Sequence, residues 1–78
     1  MTDRHTEHDE LIERIKPILA GHDPSIQSTV LADLLSMWVV GHAPPLREPL
    51  LTLHMTLVHH LITVNDKILF GDKGHPGA

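Results

Sequence analysis

Residues 45–70 read PLREPLLTLHMTLVHHLITVNDKILF, and the spacing of the apolar residues in this stretch decides the fold. At about 100° per residue, Leu50, Leu57, Leu61, Val64 and Ile68 fall together on a helical projection. Leu51, Val58, Ile62 and Leu69 continue the same surface, with Leu53 and Met55 at its margins. The apolar arc covers roughly 200°, about twice the stripe that a helix needs to face one core. Thr52, Thr56, His59, Thr63 and Lys67 make a narrow polar band, with His60 beside Leu53. Apolar and polar residues do not alternate and the run is long, which excludes a strand. The stretch is a helix that needs covering on two sides.

Two polar residues interrupt the apolar arc, His54 and Asn65. An imidazole or amide buried without a partner costs about 1–3 kcal/mol. Each is therefore expected to find a hydrogen-bond partner within the chain or across a subunit contact. Asn65-Asp66 also reads as the start of a fraying helix end, because this pair favours turns.

The preceding residues supply two more helices. Thr6 is placed to cap the first, with Glu7, Asp9 and Glu10 in the turn where the helix dipole favours negative charge. Leu11, Ile12, Ile15, Ile18 and Leu19 form a stripe about 120° wide, enough for one partner. Pro17 predicts a kink or a stop near Lys16 followed by another helical turn, and Gly21 a left-handed C-terminal residue. The second helix has Asp23 as its cap, Pro24 at its first position and Gly41 at its end. Ile26, Val30, Leu31, Leu34, Leu35, Met37, Trp38 and Val39 cover more than half of its circumference, and the remaining strip is mostly small: Thr29, Ala32, Asp33 and Ser36. His42-Ala-Pro-Pro is a rigid turn, and Pro45 opens the third helix. Pro49 then falls near the end of the first turn, where a lost N–H costs little. The expected helices are 6–20, 24–40 and 45–69 of a single domain, with residues 1–5 and 71–78 as flexible tails.

Composition narrows the function classes. Seventy-eight residues hold one small domain, and a core of this size commonly recruits a disulfide, a metal or a second subunit. There is no cysteine, which removes disulfides and thiolate sites. A net charge of −4 with only six scattered Lys and Arg argues against nucleic acid. The opening Met-Thr-Asp-Arg-His-Thr-Glu is charged where a secretory leader would turn apolar, and no run reaches the ~18 apolar residues of a membrane span. A basic polar face for lying on a membrane is also missing. The expectation is a cytoplasmic protein with no nucleic-acid or membrane partner and no cofactor.

The chemistry-bearing residues are sparse. His5, His8 and Asp9 share a helix face and together would suit a divalent transition metal, but no flanking pattern such as H-E-x-x-H accompanies them. His59 and His60 are adjacent, so they point about 100° apart. A surface hydrogen bond toward Thr63 or Asp66 accounts for His59, and His60 borders the apolar arc. Ser25, Ser28 and Ser36 lack a G-x-S-x-G elbow, and Ser25 or Ser28 fits helix-start chemistry. Asp33 and Asp66 are the carboxylates able to orient a histidine. There is no Gly-rich phosphate loop.

Helices two and three carry more apolar circumference than three helices of one chain can cover, and a surplus of this kind marks an interface. The expected fold is all-α, a three-helix unit associating into a helical-bundle homodimer, with helices two and three meeting at the twofold axis. The interface is assigned to Leu34, Trp38, His54, Leu57, Val58, Leu61, Ile62 and Asn65. The role is a non-enzymatic structural or interaction module, with an unidentified protein as the other partner such a surface suits. The alternatives are a histidine-based metal-binding protein and a small enzyme with its site at the dimer interface around His54. Eight histidines make assembly pH-sensitive: light scattering at about pH 7.5 and about pH 5.5 is expected to give different masses, and equal masses refute the idea.

Overall fold

A computed structural model describes residues 4–77, with the side chains from Thr6 onward. Among these residues all regular structure is helical: α1 (Arg4–Leu19), α2 (Pro24–Val40) and α3 (Pro44–Phe70). The all-α expectation holds. The chain groups into two compact units, Met1–Leu35 and Ser36–Ala78, and α2 runs from the first into the second. Residues 1–3 and 78, parts of the two expected tails, lie outside the described residues.

In the first unit α1 is already helical before Thr6, so Thr6 does not open the helix as its sequence position suggested. α1 continues past Pro17 to Leu19, so the further turn expected after it is present. Pro17 sits so near the C-terminus that its missing N–H removes one bond, the one to Glu13, and no long helix follows to be broken. Lys16 Nζ donates to Glu13 Oε1 at 2.6 Å, one turn back. Gly21 takes φ 82°, the left-handed conformation expected of a residue closing a helix. Ala20 N–H donates to Lys16 O at 2.9 Å, and Gln27 Nε2 reaches back from α2 to Leu19 O at 2.8 Å. A side chain of the second helix thus closes a carbonyl of the first.

The start of α2 follows from Asp23-Pro24-Ser25. Ser25 donates to Asp23 Oδ1 twice, from its N–H at 2.8 Å and from its Oγ at 2.6 Å. Gln27 N–H donates to Asp23 O at 3.0 Å, the first bond of the helical ladder. Pro24 has no N–H to satisfy, so the cap leaves little unpaired. These bonds to the charged form hold the Asp23 carboxyl below its ordinary value of 3.8, the Ser25 hydroxyl contributing most.

In the second unit α3 begins at Pro44, one residue ahead of the expected start, with two prolines in its first two positions. Pro49 lies inside the helix just past its first turn, and it has no N–H to give the Pro45 carbonyl. At the other end α3 runs past Asn65-Asp66 to Phe70. Gly71 N–H donates to Lys67 O at 2.9 Å, and the chain then turns back. Asp66 Oδ1 accepts from His75 N–H at 3.0 Å, and the His75 ring meets Phe70 edge-on at 4.8 Å. Residues 71–77, expected as extended tail, form turns closed on the end of α3. Gly74 enables this closure: its φ is 74°, and a Cβ there would stand 2.5 Å from Asp66 Oδ2.

The closest approach to a core in the second unit is a row along α3, namely Arg47, Leu50, Leu51, His54 and Val58, all half-buried. No residue among those described is buried outright.

The Asp23 cap carries a pH signature. Its folded value lies below the unfolded one, so its contribution is complete above 3.8 and is lost as pH falls through the folded value. Asp23→Ala is expected to lower the melting temperature at neutral pH and to match the parent chain in strong acid, measured by circular dichroism. A difference that persists undiminished in acid refutes the cap.

Candidate functional site

The corner between α2 and α3 is the most fully bonded part of the second unit. The last four carbonyls of a helix have no ladder partner of their own. In α2 these are residues 37–40, and each receives a donor. Gly41 N–H donates to Met37 O at 3.0 Å and His42 N–H to Val39 O at 3.0 Å. The Trp38 carbonyl lies 2.8 Å from His42 Nδ1; a carbonyl only accepts, so that nitrogen carries the proton. Arg47 supplies the remainder from the first turns of α3: Nη2 to Val40 O and Nε to His42 O, both at 3.0 Å. α2 has no basic residue in its own last turn, and the Arg47 guanidinium takes that role from the next helix.

Trp38 stands at this corner between two histidines. Its ring meets His42 at 4.9 Å with the planes 71° apart and His54 at 5.2 Å with the planes 41° apart. The edge-on and tilted geometries are those in which ring quadrupoles attract. His54 was expected to find a hydrogen-bond partner within the chain or across a subunit contact. It is half-buried, and the contact that the structure gives it is the indole of its own chain.

The residues assigned to an interface fall into distinct places. Trp38 and His54 touch each other. Val58 lies one turn beyond His54 in the half-buried row. Leu57, Leu61 and Ile62 are exposed on the rest of α3, and Leu34 is exposed on α2. Asn65 is also exposed. The exposed apolar residues extend well past this set, to Leu46, Leu53, Ile68, Leu69 and Phe70 on α3 and to Ile26, Leu31, Met37 and Val40 on α2. The α1 stripe, Leu11, Ile12, Ile15 and Ile18, is exposed as well. The sequence reading missed Arg47 altogether. Its signal was only that a basic residue follows a rigid turn closely enough to reach back.

The metal and catalytic candidates do not assemble. His8 Nδ1 stands 3.3 Å from Asp9 Oδ1 on an exposed face, and the side chain of His5 lies outside the described residues. Among the described residues no three His, Asp or Glu side chains come together as a metal-holding group. His59 and His60 are exposed. Asp66, a candidate to orient a histidine ring or to bond His59, instead accepts the backbone N–H of His75. Ser25 does what a helix start requires of it. A shallow depression of about 470 Å³ lies on α1 among Thr6, Asp9, Glu10, Glu13 and Arg14, all from one helix.

The chain matches no protein-family model, no curated protein and no solved structure. No helix among the described residues is long and apolar enough to cross a membrane.

Arg47→Ala removes two charge-assisted bonds and leaves the Val40 and His42 carbonyls short of a donor. The expected loss of stability is about 2 kcal/mol, with partial recovery in Arg47→Lys, because an ammonium does not span both carbonyls as a planar guanidinium does. Urea unfolding of the three chains measures this, and equal midpoints for parent and Arg47→Ala refute the capping role.

Proposed function

We propose that this chain is a homodimeric, non-enzymatic interaction module whose second and third helices meet their counterparts across a twofold axis. The observation that supports this is the quantity of apolar side chain left in water on those two helices. Leucine, isoleucine, valine, methionine and tryptophan are exposed along the whole length of both, while nothing among the described residues is buried. Burying one such side chain fully is worth about 1.5–3 kcal/mol, so leaving a continuous surface of them wet is costly. A second subunit of the same kind removes that cost with no new sequence. The role follows from the surface: a scaffold or adaptor that presents a paired helical face to itself or to another protein. Holding Trp38 against His54 lends no weight to a catalytic or metal-binding role for that histidine.

Sedimentation at roughly 10 μM is expected to give twice the chain mass of 8.7 kDa. Leu61→Asp puts a carboxylate on the apolar face and is expected to weaken association at least about a hundredfold, whereas Thr63→Asp on the polar band leaves the mass unchanged. A monomer at that concentration, folded and well behaved, overturns the proposal.

A further inference from the structure

We propose that residues 75–77 form an acid-released clasp on the end of α3, held shut by the uncharged ring of His75 and opened when that ring takes up a proton. Three contacts define the clasp. His75 N–H donates to Asp66 Oδ1 at 3.0 Å, the His75 ring stands edge-on to Phe70 at 4.8 Å, and Gly77 N–H donates to His75 Nδ1 at 2.8 Å. A backbone N–H only donates, so Nδ1 accepts with its lone pair and carries no proton. The neutral ring then holds its single proton on Nε2. An imidazolium has a proton on both nitrogens, and a proton on Nδ1 abolishes the bond from Gly77. His8 and His42 use Nδ1 in the opposite sense, against Asp9 Oδ1 at 3.3 Å and the Trp38 carbonyl at 2.8 Å. Those bonds survive when the ring is charged, so acid leaves the α2–α3 corner closed while it opens the clasp.

The chain is closely fitted around this arrangement. Asp66 and Gly74 are half-buried. A Cβ on Gly74 would stand 2.5 Å from Asp66 Oδ2, and one on Gly77 would stand 2.9 Å from Nδ1 and Cε1 of His75, so a side chain at either position displaces the contact. Pro76 has no N–H, and Gly77 therefore offers the first amide after His75. The edge-on contact with Phe70 orients the ring and opposes its turning over to present Nε2 instead. On the elements that meet at His75, the charged side chains are Asp66 and Lys67 at the end of α3 and Asp72 and Lys73 in the turn. An imidazolium is drawn to the Asp66 carboxylate, and the bond from His75 N–H to that carboxylate does not use the ring. Protonation thus frees Gly77 and leaves His75 anchored on α3.

Amide exchange and histidine ring resonances, followed by NMR on the full chain between about pH 7.5 and about pH 5.5, test the clasp. Protection is taken relative to an unstructured peptide of the same sequence at each pH. As the His75 ring titrates, the Gly77 amide is expected to lose about fivefold in protection, the size of one net hydrogen bond, while the His75 amide keeps its own. The Gly77 loss and the His75 ring shift are expected to share one midpoint. His75→Asn places a carbonyl oxygen where Nδ1 stood, an acceptor that takes up no proton in this range, and its Gly77 amide is expected to show no pH-dependent loss of protection. In His75→Ala the Gly77 amide is expected to be unprotected throughout, with circular dichroism checking that each variant stays helical. A Gly77 amide that is unprotected while His75 is neutral overturns the inference. Protection that does not fall as His75 is protonated, or that falls equally in His75→Asn, overturns it as well.

Discussion

The end of α2 imposes the constraint on which the second unit depends. A helix that stops must find donors for its last four carbonyls, and here they come from the backbone of Gly41 and His42, the ring of His42 and the guanidinium of Arg47. Arg47 belongs to α3, so the bonding that finishes one helix also aims the next. With Arg47 held against the corner, the residues on its own row of α3 follow it: Leu51, His54 and Val58 lie at helical intervals from it and are half-buried with it. His54 then arrives at the Trp38 ring. The row of α3 that is half-buried with Arg47 holds Leu51, His54 and Val58, while Leu53, Leu57 and Leu61 stay exposed.

That division creates the surplus on which the functional proposal rests. The arc on α3 is too broad for one neighbour, and once α2 has engaged a single row the other remains in water. Small helical chains lack the volume to bury such a surface alone, and they have no inexpensive alternative without disulfides or a metal. Four polar side chains serve as caps and turn closures: Asp23 at the start of α2, Gln27 on the end of α1, Arg47 on the end of α2, and Asp66 on the C-terminal turn.

Much of this was legible in the residues themselves. The helical periods, the Asp23-Pro24 start, the left-handed Gly21 and the excess apolar arc are consequences of local geometry, which depends only on neighbours a few positions away. One helix end was misplaced: Thr6 was assigned from its preference for the capping position, and α1 already runs through it from Arg4. The C-terminal eight residues looked unstructured because Gly and Pro dominate them. What orders residues 71–77 is the Asp66 carboxylate meeting a backbone N–H nine residues on and a Gly74 conformation that brings it there. No composition measure registers such a bond.

The amino-acid sequence alone determined that the chain is helical, where its helices break, and that two of them are apolar over too wide an arc. These follow from side-chain period and from the backbone limits of glycine and proline, which act at short range. Only the tertiary structure decided how that arc is divided and how the Arg47 guanidinium reaches back five and seven residues, to the His42 carbonyl in the turn and the Val40 carbonyl that ends α2. A hydrogen bond of fixed length and direction between groups distant in the chain exists only once the turn between them has its shape, and spacing along the sequence carries no record of that shape.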